Sequence, residues 1–159
     1  MLFNDYQSIG RLSTTDQPNW VSSEELRKAI KVREKDFSRT IVPGDKIMIC
    51  HGGSSEFVVD LLAVWSCGAA AACVNPLATQ NEIDNLISFI EPNAIIRNVD
   101  GPLVTLKERH EKAVPSFHMD MPALYLFTSG TTGTPKGVEH NFRSLLARFT
   151  LNQVYMGRG

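Results

Sequence analysis

The sequence has no block of like charge. Its 16 basic and 17 acidic residues leave a formal net charge of -1. No basic stripe runs along it, so a nucleic-acid partner is not expected, although local positive charge could still hold a small anion. Cysteine is scarce. Cys50, Cys67 and Cys73 are odd in number, form no C-x-x-C pair and lie in or beside apolar stretches. They read as buried free thiols in a reducing compartment, which makes the expected location cytoplasmic. Cys50 stands next to His51, the one place where a base adjoins a thiol. The spacing of His51, His110 and His118 suggests no metal site, and they read as surface or core residues. No clean membrane span is present either. The stretch from Phe57 to Val74 is broken by Asp60, Ser66 and Gly68, and no Lys or Arg lies between Lys46 and Arg97 to anchor it. It reads as a buried helix followed by a buried strand. The opening MLFNDYQSIG shows no charged segment ahead of an apolar core, so no secretory signal is visible. There is no internal repeat and no low-complexity segment.

What is present is an alternation. Residues 1–20 show no period and read as an extended lead-in with turn formers at Asp16 to Asn19. The rest, 21–159, reads as one domain. Ser22 to Glu25 is a capping-box pattern, and Leu26, Ala29, Ile30 and Phe37 mark one face of a helix of about four turns. Val42-Pro43-Gly44-Asp45 is a turn, and Ile47 to Cys50 a strand buried on both faces. Gly52-Gly53 leads to a helix capped by Ser54 or Ser55 and closed by Gly68. Ala69 to Val74 is a second strand. Thr79 to Glu82 is another capping box, opening a helix that Pro92 stops, and Ala94 to Arg97 is a third strand. Strands alternating with helices predict an α/β fold, a mainly parallel sheet with helices on both faces and right-handed crossovers. Asp100-Gly101 marks a turn suited to a hairpin, and a short helix is expected around Lys107 to Lys112. Asp120 reads as a solvated turn residue. Further strands are expected at 123–127 and 137–140, and a helix at Asn141 to Gln153 with Phe142, Leu145, Leu146 and Phe149 on one face.

Between those last two strands the chain reads LFTSGTTGTPKG, Leu126 to Gly137. Gly130, Gly133 and Gly137 permit unusual backbone angles and let a ligand approach the main chain. Successive N–H groups in such a loop converge on an anion. Thr128, Ser129, Thr131, Thr132 and Thr134 add hydroxyl donors, and Lys136 adds one compact positive charge suited to phosphate. Together these features describe a polyphosphate cradle at the end of a buried strand, where open α/β sheets bind ligands. The loop is not a Walker A loop. Pro135 stands where that motif has glycine, and Gly137 stands where it has the magnesium-binding hydroxyl. Pro135 also biases Thr134 away from helical angles.

The ten residues Thr128 to Gly137, TSGTTGTPKG, closely resemble the signature loop of the adenylate-forming superfamily, which includes acyl- and aryl-CoA synthetases and the adenylation domains of peptide synthetases. Weaker likenesses precede it in the family's order: Trp20 to Leu26 to the early helix, Gly44-Asp45-Lys46-Ile47 to the G-D-x-V strand, and Trp65 to Pro76 to the small-residue strand ending in N-P. The resemblance covers roughly residues 20–150. It implies a partial N-terminal subdomain of the adenylate-forming fold. The implied chemistry is activation of a carboxylic acid by ATP and Mg as acyl-AMP with release of pyrophosphate, then transfer to a thiol such as coenzyme A. It also implies that Thr128, Ser129, Gly130, Thr131, Thr132, Gly133, Thr134, Pro135, Lys136 and Gly137 wrap the β- and γ-phosphates. Lys136 would stabilise the departing pyrophosphate. Val74-Asn75-Pro76 resembles the CoA-synthetase branch more than the peptide-synthetase one.

The resemblance also has gaps. The later family segments that hold adenine and ribose, line the acyl pocket and ligate magnesium are not in these 159 residues, and neither is the C-terminal lid with its lysine. Many relatives carry a histidine six residues after the loop lysine. Here that position is Phe142, and the neighbouring His140 reads as structural. The expected reading is therefore part of an ATP-dependent carboxylate-activating enzyme. The alternatives are a naturally short, noncatalytic nucleotide- or partner-binding module, half of a split enzyme, or a generic α/β scaffold with a coincidental loop. An incomplete sheet exposes edges and apolar surface, so self-association, or a chain supplying the missing half, is expected.

Overall fold

The computed structural model describes residues 12–14, 17–107, 115–128 and 136–156. A two-stranded antiparallel ribbon, β1 (Leu12–Thr14) and β2 (Gln17–Val21), precedes the first helix, α1 (Ser23–Phe37). The stretch expected to be an extended lead-in with a turn at Asp16 to Asn19 is instead this paired ribbon. Gln17, Pro18 and Asn19, read as turn formers, lie in β2, because a ribbon that pairs along one side tolerates proline. Then come β3 (Lys46–Ile49), α2 (Ser55–Ser66), β4 (Ala70–Cys73), α3 (Gln80–Ile90), β5 (Ala94–Ile96), β6 (Leu103–Thr105), β7 (Pro122–Thr128), β8 (Lys136–Asn141) and α4 (Phe142–Met156). The short helix expected near 107–112 falls mostly outside the described residues.

The main sheet has the order β6-β5-β3-β4-β7-β8. β5, β3, β4 and β7 run parallel, while β6 and β8 close the two edges antiparallel. Side chains alternate across the strands. Ile47, Ile49, Ala71, Ile96 and Ala123 face α1, α2 and α4 on one side. Met48, Ala72, Val74 and Ile95 face Leu86 and Ile90 of α3 on the other. The mainly parallel sheet with helices on both faces is thus as the alternation predicts.

Local chemistry sets the helix limits. Ser22 and Thr79 each accept from the backbone N–H three residues on, and Glu25 and Glu82 reach back to the cap residues' own N–H groups, completing two capping boxes. Gly68 follows α2 at φ +73, and a Cβ there would lie 3.0 Å from Phe117 and 3.2 Å from Pro43. Glycine fits that turn because it alone avoids both the strain and the clash. Lys46 Nζ donates to the Ile90 carbonyl at 2.6 Å, satisfying the C-terminus of α3.

One ion-pair group joins four parts of the chain. Asp60 on α2, with its side chain 3% exposed, takes Arg33 Nε of α1 at 2.6 Å and His51 Nε2, just past β3, at 2.8 Å. Arg33 also donates to the Gly101 carbonyl of the β5–β6 turn at 2.6 Å and stacks over Phe37 at 4.6 Å. Removing the shared carboxylate strands two polar partners in the interior. Asp60→Ala is therefore expected to cost about 3 kcal/mol or more, measured as a lower urea midpoint with an unchanged slope; a loss no larger than that of an exposed substitution would contradict the account.

The capping boxes make a pH prediction. Hydrogen bonds from Ser22, side chain first and then backbone, hold the Glu25 carboxyl below its usual range, and the Thr79 backbone followed by its side chain does the same for Glu82. A depressed folded-state value means the stabilisation is complete above the ordinary carboxylate range and fades as pH falls through the depressed values. The Glu25→Ala, Glu82→Ala double variant should therefore show a flatter acid limb in helix content by circular dichroism, with the wild-type limb steeper.

Candidate functional site: the β7–β8 hairpin

The loop singled out from sequence is the connection of a hairpin. β7 ends at Thr128 and β8 begins at Lys136, and these two residues stand opposite each other in the ladder. Ser129, Gly130, Thr131, Thr132, Gly133, Thr134 and Pro135 lie outside the described residues. Both ends of the loop are therefore fixed on neighbouring strands. Because β7 runs parallel to β3, β4 and β5, its carboxyl end lies on the same edge of the sheet as theirs. That edge is where open α/β sheets place ligands.

β7 is well anchored. It pairs with β4 on one side and β8 on the other, and the Trp65 indole N–H of α2 donates to the Ala123 carbonyl at 2.7 Å. Burial, reinforced by a hydrogen bond to Glu139 on the adjacent strand, raises the Tyr125 phenol well above its ordinary value, so Tyr125 is a donor and not an ionised base. Lys136 is exposed, and among the described residues its ammonium has no acidic partner. Gly137 is held close to two aromatic rings: a Cβ there would lie 3.2 Å from Phe127 and 3.6 Å from Phe89 of α3. On the other face of the hairpin, Leu126 and Val138 stand opposite each other and are 44% and 54% exposed.

The remaining candidates separate cleanly. Phe142 is 1% exposed, its N–H bonds the Met121 carbonyl, and its ring meets Phe117 edge to face at 5.1 Å. It is a core residue. His140 sits half-buried on β8 opposite Leu124, and Asn141 caps α4 by accepting from the Ser144 N–H. His51 is buried against Asp60 and so does not activate Cys50. All three cysteines are only half-buried, at the margins of the core clusters, rather than fully buried as expected, and burial raises their thiols, to about 11 for Cys67 and about 12 for Cys73. His118 is exposed, His110 lies outside the described residues, and among the described residues no group of three metal-binding side chains occurs. Asp120 is exposed as expected and pairs with Arg143 at 2.8 Å. Two features escaped sequence reasoning: the Asp60 ion-pair group, whose members are 9 and 27 residues apart, and the approach of Phe89 to Gly137. The lone Asp60 in an apolar helix was the only available signal for the first.

Comparison with known proteins bears on the family and the fold. Residues 37–158 match the AMP-binding enzyme family. The chain is 26% identical over 153 residues to the anthranilate–CoA ligase of Pseudomonas aeruginosa, covering 79% of this chain and 30% of that one. It is 31% identical over 126 residues to the β-alanyl-bioamine nonribosomal peptide synthetase ebony of Drosophila melanogaster, covering 66% and 14%. The chain thus spans less than a third of the length of either relative. Among solved structures, the N-terminal subdomain of Klebsiella oxytoca NpsA superposes with a TM-score of 0.65 at 24% identity, covering 84% of this chain and 37% of that one. The o-succinylbenzoate CoA synthetase of Bacillus subtilis gives 0.69 at 22%, covering 92% and 42%.

The tight seat of Gly137 is open to a direct check. Gly137→Ala should cost about 1 kcal/mol through overpacking and shift the amide NMR signals of Phe127 and Lys136 while sparing those of β5. Unmoved Phe127 and Lys136 signals would show that the seat is looser than described.

Proposed function

Because the chain belongs to the AMP-binding enzyme family, we propose that it is part of an ATP-dependent enzyme that activates a carboxylic acid. A carboxylate oxygen attacks the α-phosphorus of ATP, the bond to the bridging oxygen breaks, and acyl-AMP and pyrophosphate form. The observation that carries this reading is the hairpin itself. It sets Thr128 and the exposed Lys136 opposite each other at the carboxyl edge of a parallel sheet, at the two ends of a segment made almost wholly of Ser, Thr and Gly.

The chemistry asks for little more from this part of the chain. Pyrophosphate departs with growing negative charge, and fixed N–H, hydroxyl and ammonium donors lower the barrier by meeting that charge where it develops. Magnesium bound with ATP would neutralise phosphate charge, and the resemblance puts its protein ligands in later segments of the family. The likeness to a CoA ligase supports coenzyme A as the acceptor of the acyl group in the complete enzyme. The likeness to peptide synthetases favours a carrier-protein thiol as the alternative acceptor.

Isothermal titration of the 159-residue chain with MgATP and with pyrophosphate tests the cradle. Lys136→Ala should weaken both ligands by about tenfold or more, in keeping with loss of a charge-assisted contact. Wild-type binding that Lys136→Ala leaves intact would overturn the assignment.

A further inference from the structure

We propose that Phe89 of α3 is a positioning residue for Lys136, the lysine that ends the phosphate loop. The inference rests on the reading of that loop given above and adds a residue that the signature does not contain.

Among the described residues β8 is the outermost strand of the sheet, with β7 as its ladder partner. Lys136 begins that strand and Gly137 follows it. A lone ladder fixes the spacing of two strands but leaves the outer one free to twist. A contact from a different element removes that freedom, and the Phe89 ring supplies one. It reaches from the last turn of α3 to within 3.6 Å of where a Gly137 Cβ would stand, beside the Phe127 ring at 3.2 Å. Two rings, one from the neighbouring strand and one from the helix beneath, therefore underlie the residue next to the loop lysine. Glycine is what lets them come so near.

Phe89 is also poorly explained as a core residue. Leu86 and Ile90 carry the buried face of α3, at 8% and 4% exposure, while Phe89 remains 54% exposed. A half-exposed phenylalanine contributes modestly to burial. Its closest structural consequence is the seat of Gly137, and through it the place of the Lys136 ammonium. Small displacements matter there, because charge stabilisation depends on donors held where the charge develops.

The experiment compares Phe89→Ala with Phe89→Tyr, which keeps the ring, and with Val32→Ala, a control at an exposed apolar residue of α1. Two readouts are taken. Amide hydrogen exchange over Lys136 to Val138 should speed up in Phe89→Ala, stay slow in Phe89→Tyr and Val32→Ala, and leave β3 protection unchanged in all three. MgATP affinity by titration should fall roughly tenfold in Phe89→Ala and recover in Phe89→Tyr. Unchanged exchange in Phe89→Ala overturns the inference whether or not the chain binds ATP. Altered exchange with wild-type ATP affinity also overturns it, because the ring would then steady the strand without positioning Lys136. Absence of ATP binding by the wild-type chain, with exchange altered as described, counts against the phosphate-cradle reading instead and leaves the contact between Phe89 and β8 upheld.

Discussion

Three alanines at the centre of the sheet set the terms for everything around them. β4 is Ala70-Ala71-Ala72-Cys73, with the alanines at most 1% exposed. It lies between β3 and β7 and is packed on both faces. Methyl groups fill little space, so the helices must settle close to the sheet and bring their own bulk. Trp65 and Leu62 do so from α2, and Leu86 and Ile90 from α3. At native packing density, larger residues in β4 would push both layers outward. The Trp65 hydrogen bond to the Ala123 carbonyl depends on that closeness, and it locks α2 to β7. The candidate site inherits its precision from this arrangement, since β7 carries the loop.

A second constraint works through charge. Asp60 gathers α1, α2, the end of β3 and the β5–β6 turn around one buried carboxylate. A buried ion pair is weak evidence for stability in itself, because desolvation offsets attraction. Its effect is selective: an arrangement of these elements that separates the partners leaves a charge without its mate. The group thus favours one packing of the helices over others that would bury similar apolar area.

Much of this was legible in the sequence because it is written locally. The two capping boxes, the Pro43-Gly44 turn, the Gly68 stop and the apolar runs of β3, β4 and β5 each follow from residues within a few positions of one another. The loop was legible for the same reason, since its hydroxyls, glycines and lysine are contiguous. What stayed hidden depends on distance. The β1–β2 ribbon has too few residues for a period to show, and its proline reads as a breaker until the pairing is known. Arg33 and Gly101 are 68 residues apart. Phe89 looks like one more apolar residue of a helix until β8 is laid against it. Phe142 is legible too: helical spacing puts it on one apolar face with Leu145, and both lie in the core.

The two ends of the loop are not equivalent. Thr128 belongs to a strand with neighbours on both sides, whereas Lys136 opens a strand with a neighbour on one side only. The same asymmetry governs tolerance to change. A substitution in β7 is transmitted to β4 and the core, whereas among the described strands one in β8 reaches them only through β7.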